Sequence, residues 1–190
     1  MRRLYRFPVA GLITLMATSL HSIAASASIL SINVDGVESY AARGDTSNTE
    51  LIIDVGALLG LSGPITVTGL GWDVDLDAID PSWLSDATAG LEGSDGTGYV
   101  DLRPGIDDTF AGTASYSSNG IIDLIALDLS FTLTDGLLHI EFFETFDDAS
   151  GAVDAIWNGR LDIQAVPVPG AIWLFGCAIA ALSFGARKRL

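Results

Sequence analysis

Cysteine, histidine and basic side chains are scarce in this chain of 190 residues. Its one cysteine, Cys177, lies near the C-terminus, so the residues before it cannot form a disulfide with one another. Of the two histidines, only His139 lies beyond the first 27 residues, which excludes a zinc site of cysteine and histidine ligands there. A domain of about 140 residues can bury a sufficient core without such cross-links.

The few basic residues are concentrated at the two ends of the chain. Between residues 28 and 166 there are three of them, against all twenty-four acidic residues, so this stretch has a formal charge of −21. Such a charge excludes nucleic acid and anionic lipid as partners of the stretch, because binding to phosphate requires lysine or arginine. It favours solubility, and divalent cations or basic partners would relieve the mutual repulsion of the carboxylates.

The first 27 residues have the pattern of a secretory signal peptide. Three arginines precede an apolar run over residues 9–20, and Ala25 and Ala27 frame a small-residue cleavage site. Cleavage after Ala24 is the alternative. The apolar run is too short for a second membrane span, so we predict that residues 1–27 are removed on export.

Residues 28–165 alternate apolar and polar side chains with a period of two, which is typical of half-buried β-strands. Turn-forming residues separate the alternating segments, and none of them has a convincing helical pattern. We therefore predict one acidic, all-β domain over residues 28–165, an antiparallel β-sandwich of the jelly-roll kind. The predicted strands cover residues 28–37, 51–55, 65–79, 99–103, 110–116, 121–134, 138–142 and 161–165.

Two turn signals predict a meander in the second half of this domain. Asn-Gly at 119–120 and Asp-Gly at 135–136 are dipeptides that favour tight β-hairpins. The long strand between them would direct Leu127 and Leu129 inward by its alternation. We therefore predict three adjacent antiparallel strands with one solvated face.

A row of carboxylates raises the question of a calcium site. Asp73, Asp75 and Asp77 alternate with apolar residues and are expected on the outer face of one strand. Residues i and i+2 of a strand are about 6.6 Å apart, too far for three carboxylates to reach one calcium ion at roughly 2.3–2.6 Å. No cofactor is predicted from this row. A structural calcium ion, if one is bound, is expected at the loop carboxylates Asp107, Asp108, Asp147 and Asp148.

Catalytic patterns are weak, and no catalytic residue is predicted. The sequence contains no G-x-S-x-G elbow, and His139 is expected on the outer face of a strand. Glu141 and Glu144 could imitate the carboxylate pair of a glycosidase, which keeps a secreted carbohydrate-active enzyme as an alternative. We favour charges at a strand edge. The tryptophans are expected in the core, not on a sugar-stacking platform: Trp72, Trp83 and Trp157.

The chain ends in an apolar run with a proline lead-in and a basic stop. Residues 170–186 carry no charge and would span about 25 Å as a helix, close to the roughly 30 Å of a bilayer core. Pro167 and Pro169 favour a stiff, extended and unpaired backbone just before the helix. By the positive-inside rule, the last basic residues place the C-terminus in the cytoplasm: Arg187, Lys188 and Arg189.

This C-terminal segment, residues 166–190, resembles a PEP-CTERM sorting signal. The resemblance rests on Val166-Pro167-Val168-Pro169-Gly170, the apolar Ala-Ile-Trp-Leu-Phe-Gly that follows, and the terminal Arg-Lys-Arg. It is a VPxP variant, in which Val168 stands in place of the glutamate of the name-giving triplet. Residues 71–87 and 142–159 are loosely similar to regions of other proteins with this tail.

The resemblance implies how the protein is exported and processed, and which partners it meets. An exosortase would recognise the proline motif and cleave near residues 167–170, after the membrane helix has anchored the protein in the inner membrane of a Gram-negative bacterium. The domain would then reach the cell surface or an extracellular matrix, with exopolysaccharide as a candidate partner. We expect a structural or adhesive binding role; a plain membrane-anchored β-domain without processing is the alternative.

Overall fold

The computed structural model describes residues 26–96, 98–148 and 151–168. The predicted signal peptide up to Ala25 and the tail from Pro169 onward, including Gly170 and the terminal basic residues, lie outside these ranges. The described elements are β1 (Ser28–Asn33), β2 (Val37–Ser39), β3 (Thr49–Asp54), α1 (Val55–Leu59), β4 (Ile65–Ala78), β5 (Ala87–Gly93), β6 (Tyr99–Leu102), β7 (Gly112–Ser117), β8 (Ile122–Asp123), β9 (Phe131–Leu133), β10 (Leu137–Glu144) and β11 (Ala155–Pro167).

The strands form two antiparallel sheets. In the larger sheet β1 pairs with β11, and β11 pairs with β4, while β2 pairs with the beginning of β11. The smaller sheet has the order β3-β10-β5-β6. One continuous hydrophobic cluster contains inward residues from both sheets, among them Leu76, Leu91, Ile140 and Ile163. The prediction of an all-β antiparallel sandwich is thereby confirmed.

The predicted meander is wrong, because its strands find distant partners. β7, β8 and β9 follow one another along the same edge of β4, like one strand interrupted twice, and β10 belongs to the other sheet. The second interruption begins where the Asp123 carboxylate accepts hydrogen bonds from the N–H groups of Ile125 and Ala126. This local turn leaves Leu127 and Leu129 outside, 55% and 44% exposed.

β4 is the longest strand and behaves as its alternation predicts. Val74 and Leu76 are buried, and the carboxylates of Asp73 and Asp75 face outward. Gly69 and Gly71 interrupt the alternation of β4, which indicates a bulge or bend, and the register with β11 does shift there: Gln164 pairs with Gly69, but Ala165 pairs with Val67. At Gly69 a Cβ atom would lie 2.4 Å from Cγ2 of Ile121, so the glycine allows the loop between β7 and β8 to cross close over the strand.

The tryptophans occupy three different environments. Trp157 of β11 is completely buried and packs edge-on against Phe142 of β10, with ring centroids 5.3 Å apart, and so joins the two sheets. Trp72 packs against the core from a partly buried position, and Trp83 is 46% exposed. The core expectation is therefore right for Trp157 and wrong for Trp83.

Candidate functional site

One acidic side chain points into the sandwich at the end of β10. Leu138, Ile140 and Phe142 alternate inward along this strand, and Glu144 continues the same face and is completely buried. The expectation of a strand-edge charge at Glu144 is therefore wrong, because the period-two alternation directs this side chain into the interior.

Ser39 of β2 links Glu144 to a second buried carboxylate. The Ser39 hydroxyl donates a hydrogen bond to Oε1 of Glu144, and the Ser39 carbonyl accepts one from the N–H of Asp154 at 2.9 Å. Asp154 directly precedes β11, whose first residue, Ala155, is the register partner of Ser39. Glu144 thus comes from the smaller sheet, and Asp154 comes from the start of the interior strand β11 of the larger one.

A second serine completes the group. Ser82 lies in the turn after β4, and its hydroxyl is near enough to Asp154 to oppose a rise in the pKa of that carboxyl, without reaching hydrogen-bonding geometry. We call Ser39, Ser82, Glu144 and Asp154 the buried acidic cluster; all four residues have no exposed surface.

Most of the polar atoms of this cluster lack partners. Oε2 of Glu144, both carboxylate oxygens of Asp154 and the Ser82 hydroxyl accept and donate no hydrogen bond. Burying an ionised carboxylate without a partner is very costly, and a protein avoids the cost by protonation or by placing a positive charge nearby. The cluster therefore requires one of these two compensations.

The electrostatics of the cluster follow from burial. Burial raises the pKa of Glu144 to about 8, against the opposing hydrogen bond from Ser39, and the carboxylates of Asp154, Asp86 and Asp148 add to the rise. The pKa of Asp154 is raised mainly by burial as well, and its acidic neighbours act in the same direction. The site is thus strongly electronegative when both groups are ionised.

The cationic side chains of the described chain are engaged elsewhere. Arg43 pairs with Asp101 at 3.1 Å, and Arg160 contacts Asp73 and Asp162. Arg103 donates to the carbonyl of Ser85. None of the ion pairs among residues 26–96, 98–148 and 151–168 involves the buried acidic cluster, so no cationic side chain within these ranges compensates it.

An open cavity of about 330 Å³ is lined in part by Asp86 and Asp148, two of the carboxylates that raise the pKa of Glu144. It is lined by Trp83, Asp86, Phe146 and Asp148. The carboxylate of Asp86 is held by the residue after β10, because the Thr145 hydroxyl donates a hydrogen bond to its Oδ1 at 3.0 Å. The cavity therefore has an acidic wall beside exposed aromatic rings.

The loop carboxylates that were favoured for calcium are distributed differently. Asp148 lines the cavity, and Asp147 acts on the pKa of Asp154. Asp108 instead accepts a hydrogen bond from the Tyr116 hydroxyl at 2.5 Å, and Asp107 is exposed. Within the described ranges, no three histidine, cysteine, aspartate or glutamate side chains are grouped to hold a metal ion.

The glutamates that could imitate a glycosidase pair lie on opposite faces of β10. Glu141 points outward, where it accepts hydrogen bonds from Nδ2 of Asn48 at 2.8 Å and from the N–H of Gly44 at 2.6 Å. Glu144 points into the core. His139 is paired with Glu50 at 2.7 Å on the outer face, as expected. This arrangement does not bring two carboxylates to one substrate.

The proline motif begins inside the larger sheet. Val166 and Pro167 are the last residues of β11 and pair with Thr66 and Ile65, and the N–H of Val168 donates to the carbonyl of Pro64 at 2.9 Å. The expected unpaired backbone is therefore wrong up to Val168, because β4 is long enough to pair with the whole segment. At the other end, Ala27 is exposed just before β1.

The sequence contained a signal for only part of the buried acidic cluster. Glu144 shares the inward period of Leu138, Ile140 and Phe142, so its burial follows from alternation. Asp154 and Ser82 lie outside strands, where no periodicity applies. Their burial depends on how the loops close one end of the sandwich.

Comparisons with known proteins add little beyond the architecture. No protein-family model and no curated protein matches the chain. A structure of infectious bursal disease virus, Gt strain, matches 87% of this chain at 16% identity and a TM-score of 0.36, and this chain spans only 38% of that one. A structure of Cocksfoot mottle virus matches 89% of this chain and 97% of its own at 10% identity, with a TM-score of 0.27. Such low scores support no functional inference.

Among the described residues, no helix has the length and apolar character needed to cross a bilayer.

Proposed function

We propose that this protein is exported, anchored by a C-terminal membrane helix and processed by an exosortase through its proline motif. Residues 1–27 act as the signal peptide, and residues 166–190 act as the sorting signal. The acidic sandwich then serves at the cell surface or in an extracellular matrix, in a structural or adhesive role without catalysis. Exopolysaccharide is the proposed partner there.

The observation that carries this proposal is the order of segments in the chain. A charged leader, an acidic β-domain, a proline motif, an apolar run and a basic stop follow one another. The described structure is compatible with this order, because β11 is the last strand of the sandwich and continues into the motif. The opposite orientation of Glu141 and Glu144 favours the binding role over a glycosidase.

We further propose that the sandwich is a jelly roll. If β7, β8 and β9 count as one interrupted strand, each sheet has four main strands, β1-β11-β4-β7 and β3-β10-β5-β6. Consecutive main strands alternate between the sheets except for the pair β5 and β6. Two four-stranded sheets connected in this way are the hallmark of the jelly roll.

The mature C-terminus tests the sorting proposal. Mass spectrometry of the protein from cells with and without the exosortase should find a shortened C-terminus only when the enzyme is present. Pro169→Ala should retain Leu190 in both strains, whereas the control Pro104→Ala, at a proline outside the motif, should be processed normally. An intact Leu190 in the presence of the enzyme would exclude sorting and favour a plain anchor.

A further inference from the structure

When its carboxylates are ionised, the buried acidic cluster has a charge that no cationic side chain of the described residues balances. Glu144 and Asp154 are both fully buried, and three of their four carboxylate oxygens have no partner. The fourth, Oε1 of Glu144, accepts its hydrogen bond from the neutral hydroxyl of Ser39. A neutral donor does not compensate two negative charges.

The available ligands restrict what could balance this charge. The cluster offers carboxylate and hydroxyl oxygens, and no nitrogen or sulfur ligand belongs to it. Such oxygen sets suit hard cations. Two carboxylates are neutralised by a single divalent ion, so one ion would satisfy both the charge and the unpartnered oxygens.

We propose that the buried acidic cluster binds one calcium ion, with the carboxylates of Glu144 and Asp154 as its charged ligands. Calcium accepts six to eight oxygen ligands in flexible geometry, so carbonyl and hydroxyl oxygens of the protein can complete its shell beside only two carboxylates. Magnesium usually keeps several waters of its own, and a completely buried pair leaves little room for them. This inference does not depend on the proposed sorting function.

The surroundings suit the entry of a cation. Asp86 and Asp148 line the adjacent cavity, and both act on the same Glu144 carboxyl through their charges. A cleft lined by one sign of charge concentrates ions of the opposite sign. These two carboxylates would therefore guide the ion without having to coordinate it.

The ion would stabilise the contact between the two sheets. Glu144 ends β10 in the smaller sheet, and Asp154 precedes β11 in the larger one. Bridging them would fix one end of the sandwich, where β10 ends and β11 begins. The domain would then be less stable without calcium.

Thermal unfolding of the full chain in detergent, after chelation, tests this proposal. Calcium at about one hundred times its Kd should raise the Tm by about 5–10 °C. Magnesium at equal ionic strength should have a much smaller effect. Glu144→Gln and Asp154→Asn should lose the calcium response, and the matched control Asp107→Asn, an exposed carboxylate, should keep it.

Three results would overturn the proposal. One is a wild-type Tm that calcium leaves unchanged, with stability that varies only with pH, which would mean that protons alone neutralise the cluster. Another is an equal calcium response in Glu144→Gln and the wild type, which would indicate diffuse binding to the acidic surface. If the variants fail to fold, calorimetry of the wild type decides: one saturable site supports the proposal, and the absence of saturable binding contradicts it.

Discussion

The guanidinium of Arg43 lies directly over Gly90 in the smaller sheet. A Cβ atom at Gly90 would be 2.3 Å from Nη2 of Arg43, so only glycine leaves room for the arginine. The guanidinium carbon is 5.0 Å from the ring centroid of Tyr99 and 5.1 Å from that of Phe143, and the group also pairs with Asp101. One of the few cations of this acidic domain is thus held across three strands of the smaller sheet.

Gly90→Ala should displace Arg43 and lower the free energy of unfolding by roughly 1–2 kcal/mol, because the ion pair and the two ring contacts are weakened together. Urea denaturation of the single variants and of the double variant with Arg43→Ala measures the coupling. In the Arg43→Ala background the glycine substitution should cost much less. Equal costs in both backgrounds would show that the arginine does not occupy this position.

A second prediction concerns the turn between β8 and β9, which interrupts the pairing along the edge of β4. Leu124 is buried, whereas Leu127 is more than half exposed. Leu124→Ala should therefore cost about 2–5 kcal/mol of stability, as expected for a buried leucine, and Leu127→Ala should cost less than about 0.5 kcal/mol. Chemical denaturation distinguishes this from a regular meander, in which Leu127 would face inward and its truncation would be the costly one.

The environment of the Tyr116 hydroxyl leads us to expect that folding stability depends on pH in the alkaline range. Burial, together with its hydrogen bond to the Asp108 carboxylate, raises the pKa of Tyr116 far above its ordinary value of 10.0. The unfolded chain therefore releases this proton first as the pH rises. Stability from Tyr116 is complete below about pH 10 and is lost progressively above it.

Tyr116→Phe should accordingly make the loss of Tm above about pH 10 shallower, although it removes one hydrogen bond at neutral pH. Tyr99→Phe is the matched control, because Tyr99 is exposed and its ring contact with Arg43 needs no hydroxyl. Absorbance titration of phenolate should show one late tyrosine fewer in Tyr116→Phe. An unchanged titration curve would contradict the hydrogen bond between Tyr116 and Asp108.

The alternation of apolar and polar residues predicts the strands that have one buried and one exposed face. It does not predict which strands pair when the partners are far apart in the sequence. β10 and residues 72–78 of β4 carry apolar residues at every second position, and the sequence predicts both strands in the right place. β5, Ala-Thr-Ala-Gly-Leu-Glu-Gly, was missed because small residues give it no contrast. At Gly90 the small residue leaves room for Arg43, which lies over this strand.

The candidate site, like the fold, could be predicted from the sequence only in part. The inward face of β10 could have placed Glu144 in the core, but its partner Asp154 is ten residues later, beyond a loop. No local pattern states that two distant carboxylates meet beside Ser39. The meander failed for the same reason, since its hairpin signals compete with a long β4 edge that only the folded sheet provides.

The pairing of the proline motif with β4 limits where the chain can be cut. Val166 and Pro167 belong to β11, and Val168 donates a hydrogen bond to Pro64. A protease needs an accessible, extended substrate, so cleavage before Val168 would first require this end of the sheet to open. If processing occurs, the mature C-terminus should therefore lie at Val168 or beyond.

Mass spectrometry of the processed protein locates that terminus, and two truncated chains test its physical basis. A chain that ends after Val168 should be as stable as the processed protein. One that ends after Ala165 should lose about 1–3 kcal/mol, because it lacks the final contacts of β11 and leaves the carbonyl of Pro64 without its donor. A mature terminus before Val168, or equal stability of the two chains, would mean that this end of the sheet opens readily and that the pairing does not restrict the enzyme.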